Sequence, residues 1–324
     1  MARDPEVDVV FIAAANALHL PVVEAFASAG KHILCEKPVG RTPEETARAE
    51  KAVADAGISS AVGYNYRWSP MVQEVKRLIE SGSLGTITHY RGRFFSGYGA
   101  NPDQPMEWRY SAEGGGHGAA SDLLSHAVDL AHFLVGGLSK VVGYTSTTIH
   151  ERPTGKIRDG RIDSADHGGA RTAPVTNEDS AAMLCAFETG ASGTFEASRV
   201  LVGPESQMAF EVYGTEGSVA WNLESLNELR LYLRSDGRHA GFRKVLGGER
   251  FGHHGYFAHG SGIGPGFEDL ILIQDFEFLR AVVDETLFQP NFRDAARFGN
   301  VQAALLRSVS SGHWEPVTPV GVNK

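Results

Sequence analysis

The stretch Lys31-His32-Ile33-Leu34-Cys35-Glu36-Lys37-Pro38-Val39-Gly40 decides how the rest of the chain is read. His32 to Cys35 is a short apolar strand that runs straight into Glu36-Lys37-Pro38. Open α/β sheets take their ligands in the crevice beyond the carboxyl ends of the strands, and Lys37 stands at that place. Pro38 pins the turn, and a cis bond before it would fix the direction of the lysine side chain. A lysine at a strand exit is more often merely solvated, so the weight falls on what surrounds it.

Upstream, Val7 to Ala14 is a largely apolar run, the pattern of a strand buried on both faces of a parallel sheet. Leu20 to Ala29 reads as a helix closed by Gly30. Downstream, Thr42 caps a second helix, with Pro43 in its first turn and Glu45 three residues after the cap. That helix stops at Gly57. Ser60 to Tyr64 is a third strand and Pro70 to Ser81 a third helix. This βαβαβα alternation predicts a right-handed parallel sheet over residues 1–84. From Gly85 the period changes. Strands are expected at Thr86 to Phe95, Val141 to Ile149, Ser180 to Glu188, Ala191 to Val202, Gln207 to Tyr213, Gly217 to Asn222 and Glu228 to Leu233. Short turns between several of them predict an open, mostly antiparallel sheet in an α+β domain over 85–268. Glu151 to Asn177, polar and Gly-rich, reads as a mobile insertion loop. Helices from Asp269 to Asp284 and Phe292 to Ser310 fill residues 269–324. The fold class is α/β.

Composition narrows the function. The net charge of −9, with no basic run, excludes a nucleic-acid footprint. No apolar run reaches membrane-spanning length, and Val9 to Ala15 is flanked by Asp4, Glu6 and Asp8 where a signal peptide would be basic. Two cysteines far apart in sequence, Cys35 and Cys185, argue against a disulfide framework and fit a reducing compartment, so a cytoplasmic protein is expected. Cys35 reads as a small core filler.

The second chemical feature is Ser121 to Leu134, read as one helix capped by Ser121. Asp122, His126 and Asp129 fall at i, i+4 and i+7, outside its broad apolar stripes, and should look into a wet cavity. Asp122 and His126 can hydrogen-bond one substrate or each other, and the carboxylate would raise the imidazole's proton affinity, as a general base requires. An ordinary polar pair on a solvated helix face has the same spacing.

Taken in order, Ala14-Ala15-x-x-x-His19, Glu36-Lys37-Pro38, Gly63 to Pro70, Trp108-Arg109, Gly114-Gly115-Gly116 to Asp122-x-x-x-His126-x-x-Asp129, Glu178-Asp179-Ser180 and Gly190 to Arg199 resemble the Gfo/Idh/MocA oxidoreductases, the glucose-fructose oxidoreductase and inositol dehydrogenase family; Tyr213 to Gly217 completes the set. The resemblance implies a Rossmann domain joined to a domain with an open sheet. It also implies NAD- or NADP-dependent oxidation of a sugar or cyclitol alcohol, or the reverse. Lys37, Asp122 and His126 would be the catalytic set, with His126 as acid/base. Ala14, Asn16, His19, Glu36, Lys37, Pro38, Asn65, Tyr66 and Arg67 would hold the cofactor, and Trp108 and Arg109 would join the catalytic three around the substrate. No metal is implied. The open sheet suggests a homo-oligomer, dimer or tetramer.

Two departures stand out. His117 to Ser121 makes the approach to Asp122 longer and more Gly-rich than usual. The family's first strand and its Gly-x-Gly-x-x-Gly turn have no counterpart, as if the amino-terminal portion were lost or the true start lay upstream of Met1. Dinucleotide binding by these residues is therefore expected to be weak. A non-catalytic homologue acting as an interaction module is the alternative. A lyase or glycosidase with a tightly held nicotinamide would use the same residues. His253, His254 and His259 form a weak metal signal, and Phe267, Phe276, Phe278, Phe288 and Phe292 read as core.

Overall fold

A computed structural model describes residues 1–154, 171–257, 260 and 262–320, with the backbone alone at 157–158 and 161–162. The chain opens with β1 (Val9–Ile12), α1 (Asn16–Ala27), β2 (His32–Cys35), α2 (Pro43–Ala56) and β3 (Ser60–Val62). A 3-10 turn (Asn65–Trp68) and α3 (Pro70–Glu80) follow. β1, β2 and β3 form a parallel sheet in that order. Alternation along β2 explains its unbroken apolar run: Ile33 and Cys35 face a cluster built with α1 and α2, whereas Leu34 faces a second with Phe278 and Phe288. Both faces are buried, as a parallel sheet requires. β1 is shorter than its apolar run and only partly covered. It is an edge strand, and Phe11 is 44% exposed.

The second sheet begins with β4 (Ile87–Phe95). The short helices α4 (Ala112–Gly115) and α5 (Ala119–Asp122) lead into α6 (Leu124–Leu134) and β5 (Leu138–Ser146). Within the presumed loop, β6 (Glu151–Pro153) pairs with a later strand, and β7 (Ile157–Arg158) pairs with β8 (Arg161–Ile162). β9 (Thr172–Pro174) is the partner of β6. Arg152 of β6 is fully buried, donating to the carbonyls of Gly99 (2.5 Å) and Asn101 (2.8 Å). At that end the segment is anchored structure; residues 155–156, 159–160 and 163–170 lie outside the described residues.

Then come β10 (Ser180–Phe187), β11 (Ser192–Ser198), β12 (Gln207–Gly214), β13 (Gly217–Asn222), β14 (Glu228–Leu233) and β15 (Arg243–Leu246). The chain ends with α7 (His254–Phe257), α8 (Phe267–Val283), α9 (Phe292–Ser311) and β16 (Glu315–Pro316). Nine strands form one sheet in the order β15-β14-β13-β12-β4-β11-β10-β5-β16. All neighbours are antiparallel except β4 and β11, because β4 inserts between the β10–β11 hairpin and the β12–β15 meander. The apolar stripes of α6 pack on one face of this sheet. α9 touches α2, β3 and β5, so the last long helix ties the two sheets together. Of the phenylalanines read as core, Phe278, Phe288 and Phe292 are buried; Phe267 and Phe276 are exposed on α8.

Candidate active site

The strand β2 delivers Lys37 as its length and position predict, and the Lys37–Pro38 peptide is cis. Lys37 Nζ reaches across to the second domain, donating to Asp122 Oδ1 at 2.5 Å and to the Asp122 carbonyl at 2.9 Å. Tyr98, just past β4, donates its hydroxyl to the other carboxylate oxygen at 2.9 Å. Burial alone would raise the Asp122 carboxyl, but the ammonium of Lys37 and the Tyr98 hydroxyl hold it well below the usual carboxylate range. The same burial, with Asp122 beside it, pushes the Tyr98 phenol up. Tyr98 carried no sequence signal, being one aromatic residue in a polar loop.

The expected single helix is two. α5 ends at Asp122 and α6 starts at Leu124, with Leu123 between them still in the right-handed region (φ −96°, ψ −45°) but belonging to neither helix. Ser121 is no cap; its buried hydroxyl has no partner. Instead Glu178 holds the start of α5, accepting from Ala119 N through its carbonyl and from Ala120 N through its carboxylate, both at 3.0 Å. This break changes the polar stripe. Asp122 faces the cleft, but His126 is only 6% exposed, with its ring packed on Tyr66 (centroids 4.5 Å), Phe94 (5.8 Å) and Tyr64 (6.1 Å). No hydrogen bond joins it to Asp122, whose carboxylate serves Lys37 and Tyr98. The expected rise in imidazole basicity is reversed: burial and the Lys37 charge lower the His126 pKa well below its ordinary value, against the opposing pull of Asp122. A neutral imidazole is a ready proton acceptor.

A half-open cleft of about 220 Å³ lies in front of Lys37 and Asp122. The first domain contributes Ala13, Ala14, Asn16, His19 and Glu36 to its wall. α1 starts four residues earlier than its sequence pattern suggests, with Pro21 inside it, so its amino end opens on the cleft with no side chain capping it. His19 joins the carbonyls of Pro38 (2.8 Å) and Ala14 (2.9 Å), locking the lysine turn to the end of β1. Asn16 Nδ2 donates to the Gly115 carbonyl at 3.1 Å, which ties α1 to the glycine run. Gly116 has φ +75°, and a side chain there would run into the Arg41 carbonyl, so the run approaches the first domain backbone to backbone.

The far wall holds Trp108, Arg109, His117 and Arg199. The Arg109 guanidinium lies over the Trp108 ring at 5.1 Å. Arg199, 1% exposed, is fixed by Asp179 (2.9 Å), Asn177 (2.9 Å) and the Arg109 carbonyl (3.0 Å). Pro38, Asn65, Tyr66 and Arg67 are absent from the wall. Tyr66 lies behind it against His126, and Arg67 is turned away into a buried ion pair with Asp129. The fit to a nicotinamide cofactor rests on the amino end of α1, where no side chain caps the helix and Asn16 and His19 line the cleft.

Elsewhere, His253 is paired with Glu277 (2.8 Å) and His254 is buried against the Ile263 carbonyl (2.5 Å); His259 lies outside the described residues. Among the described residues no group of three metal-ligating side chains occurs, and no helix is long and apolar enough to cross a membrane. Cys35 is fully buried and its thiol is pushed up by that burial, as a core filler's would be.

Residues 1–64 match an oxidoreductase family with an NAD-binding Rossmann fold, and residues 72–220 match the GFO/IDH/MocA C-terminal domain. The levoglucosan dehydrogenase of Pseudarthrobacter phenanthrenivorans is 34% identical over 324 residues, covering 98% of this chain and 82% of that one. The chain belongs to the Gfo/Idh/MocA family. A solved levoglucosan dehydrogenase in complex with NADH and levoglucosan superposes with a TM-score of 0.91 at 33% identity, over 98% of this chain and 83% of that one. The scyllo-inositol 2-dehydrogenase (NAD(+)) of Bacillus subtilis is 29% identical over 67% of this chain and 56% of its own length. Family and fold are as the sequence motifs imply, and the enzyme class is an NAD- or NADP-dependent oxidoreductase acting on CH–OH groups.

Proposed function

We propose that this Gfo/Idh/MocA protein moves a hydride between a nicotinamide and a secondary alcohol carbon of a cyclic sugar, anhydrosugar or cyclitol. The observation that carries the reading is the Lys37–Asp122 ion pair at the mouth of the cleft, at 2.5 Å, with a neutral His126 on the helix that follows. When bound, NAD or NADP supplies the hydride acceptor. Lys37 Nζ and Asp122 then orient the reacting hydroxyl. Lys37 is the cation that favours a developing alkoxide, and a ring nitrogen of His126 takes the hydroxyl proton, returning it in the reductive direction. Trp108 and Arg109 form the outer wall of the sugar site, and the Trp108 ring, 40% exposed, is a flat platform for a sugar's apolar face. Ala14, Asn16, His19 and Glu36 bound the nicotinamide end. The names of the relatives support a cyclic polyol as the substrate class. Two copies pack through the free face of the nine-stranded sheet, where Tyr144 (67%) and Leu184 (51%) are exposed on the adjacent strands β5 and β10.

The test is absorbance of the reduced nicotinamide with millimolar NAD or NADP and a panel of levoglucosan, myo-inositol, scyllo-inositol and D-xylose. Turnover of at least one is expected. Absence of turnover across the panel, by protein shown to bind NADH, would overturn the substrate class.

A further inference from the structure

Arg67 has none of the environment of a ligand-binding arginine. It is 4% exposed, and it donates Nε to Asp129 Oδ2 at 2.8 Å and Nη2 to Asp129 Oδ1 at 2.6 Å. The same Nη2 reaches Asp294 Oδ1 at 3.3 Å. Each partner is itself committed to an element. Asp129 lies in α6, three residues after His126 and so on the adjoining face, one turn along. Asp294 uses its other oxygen to accept the Asn291 amide at 2.9 Å, closing the amino end of α9. Arg67 stands one residue from Tyr66, whose ring contacts that of His126. One guanidinium therefore joins the 3-10 turn of the first domain, the helix bearing His126, and the helix that spans both sheets.

We infer that Arg67, with Asp129 and Asp294, is a positioning clasp that sets the rotation of α6 and with it the aim of the His126 ring. The inference rests on the hydride-transfer reading of the cleft. Among the described residues His126 makes no hydrogen bond to fix its ring, so its direction comes from the helix and the three aromatic rings around it. Lys37 grips the chain at Asp122, before the break at Leu123; beyond the break, the fork on Asp129 is the ion pair to the first domain that holds α6 itself. A planar fork sets orientation, which a single ammonium cannot do. Stability is a poor explanation for such a group, since a buried ion pair replaced whole by apolar residues often leaves a protein as stable as before.

The test pairs two variants. Arg67→Lys keeps the charge and loses the fork. The triple variant Arg67→Met, Asp129→Leu, Asp294→Asn removes all the buried charges together while leaving an oxygen to accept the Asn291 amide, so it remains folded if the single change does not. For the folded forms we expect kcat to fall about ten- to a hundredfold, the cost of a misplaced acid/base, while KM for the dinucleotide stays within about twofold. The acid limb of the pH–rate profile should also move, since the surroundings of His126 change. A folded triple variant with the parent kcat and the parent pH limb overturns the clasp. So does a rise in dinucleotide KM at unchanged kcat, which would make Arg67 a cofactor residue. Lys37→Met is measured beside them. If it is inactive while both Arg67 variants are fully active, the clasp alone fails; if it is fully active, the catalytic reading fails and the clasp with it.

Discussion

In the proposed reaction His126 would act as a neutral base, and burial together with the Lys37 charge favours that form. Oxidation needs an imidazole that can accept the hydroxyl proton, so the rate should follow the unprotonated fraction. Burial and Lys37 lower its pKa, so the unprotonated form persists below pH 6.5. The oxidative rate is expected to stay level from neutral pH down past 6.5 and to fall only at more acid values. A limb centred at or above 6.5 in the free enzyme, or one unchanged in His126→Ala, would contradict the assignment. His126→Ala and Asp122→Ala should each reduce turnover by about two to four orders of magnitude. Lys37 and Asp122 were legible because motif and strand exit coincide. Tyr98 and Arg199 were not, because a side chain delivered from a loop or a strand end of another sheet leaves no local period to read. Arg67 was misplaced for a related reason: sequence proximity to Asn65 and Tyr66 says nothing of which way each residue of a 3-10 turn points.

At the scale of elements, the sequence is most legible where caps and periods agree. α2 begins where Thr42 and Pro43 place it, with the Thr42 hydroxyl accepting the Glu45 amide at 3.2 Å, and ends at Gly57 in the left-handed region (φ +63°). The expected reciprocal contact of a capping box closes one residue early: Glu45 accepts the Arg41 amide at 2.8 Å and also holds its guanidinium. Thr42→Ala should therefore cost about 1 kcal/mol in chemical denaturation and leave catalysis unchanged. A loss of activity without a loss of stability would show that the Thr42 turn serves the cleft directly. The break at Leu123 was illegible because Ala119 to Leu134 is helix-prone throughout; it is Glu178, 56 residues after Asp122, that pins the first piece in place. The β4–β11 parallel pair was illegible too, since an inserted strand leaves the turns on either side of it intact.

For the whole molecule, the two sheets have different needs. The parallel sheet is covered by α1 and α2 on one face and by α8 on the other. The large sheet is covered on one face by α6, and its other face carries the exposed Tyr144 and Leu184. Placing a charge there, as Tyr144→Lys, should shift light-scattering mass toward the monomer while NADH binding is retained. An unchanged mass would remove the sheet face as the interface. The cleft lies where the carboxyl end of β2 meets the helix pair laid on the second sheet, and the proposed chemistry rests on the Lys37–Asp122 ion pair that crosses between domains there. The most direct measurement is kcat/KM for the best polyol of the panel, by nicotinamide absorbance, in the parent and in Lys37→Met of unchanged circular dichroism. Turnover is expected to vanish in the variant, and a kcat/KM equal to that of the parent would contradict the assignment.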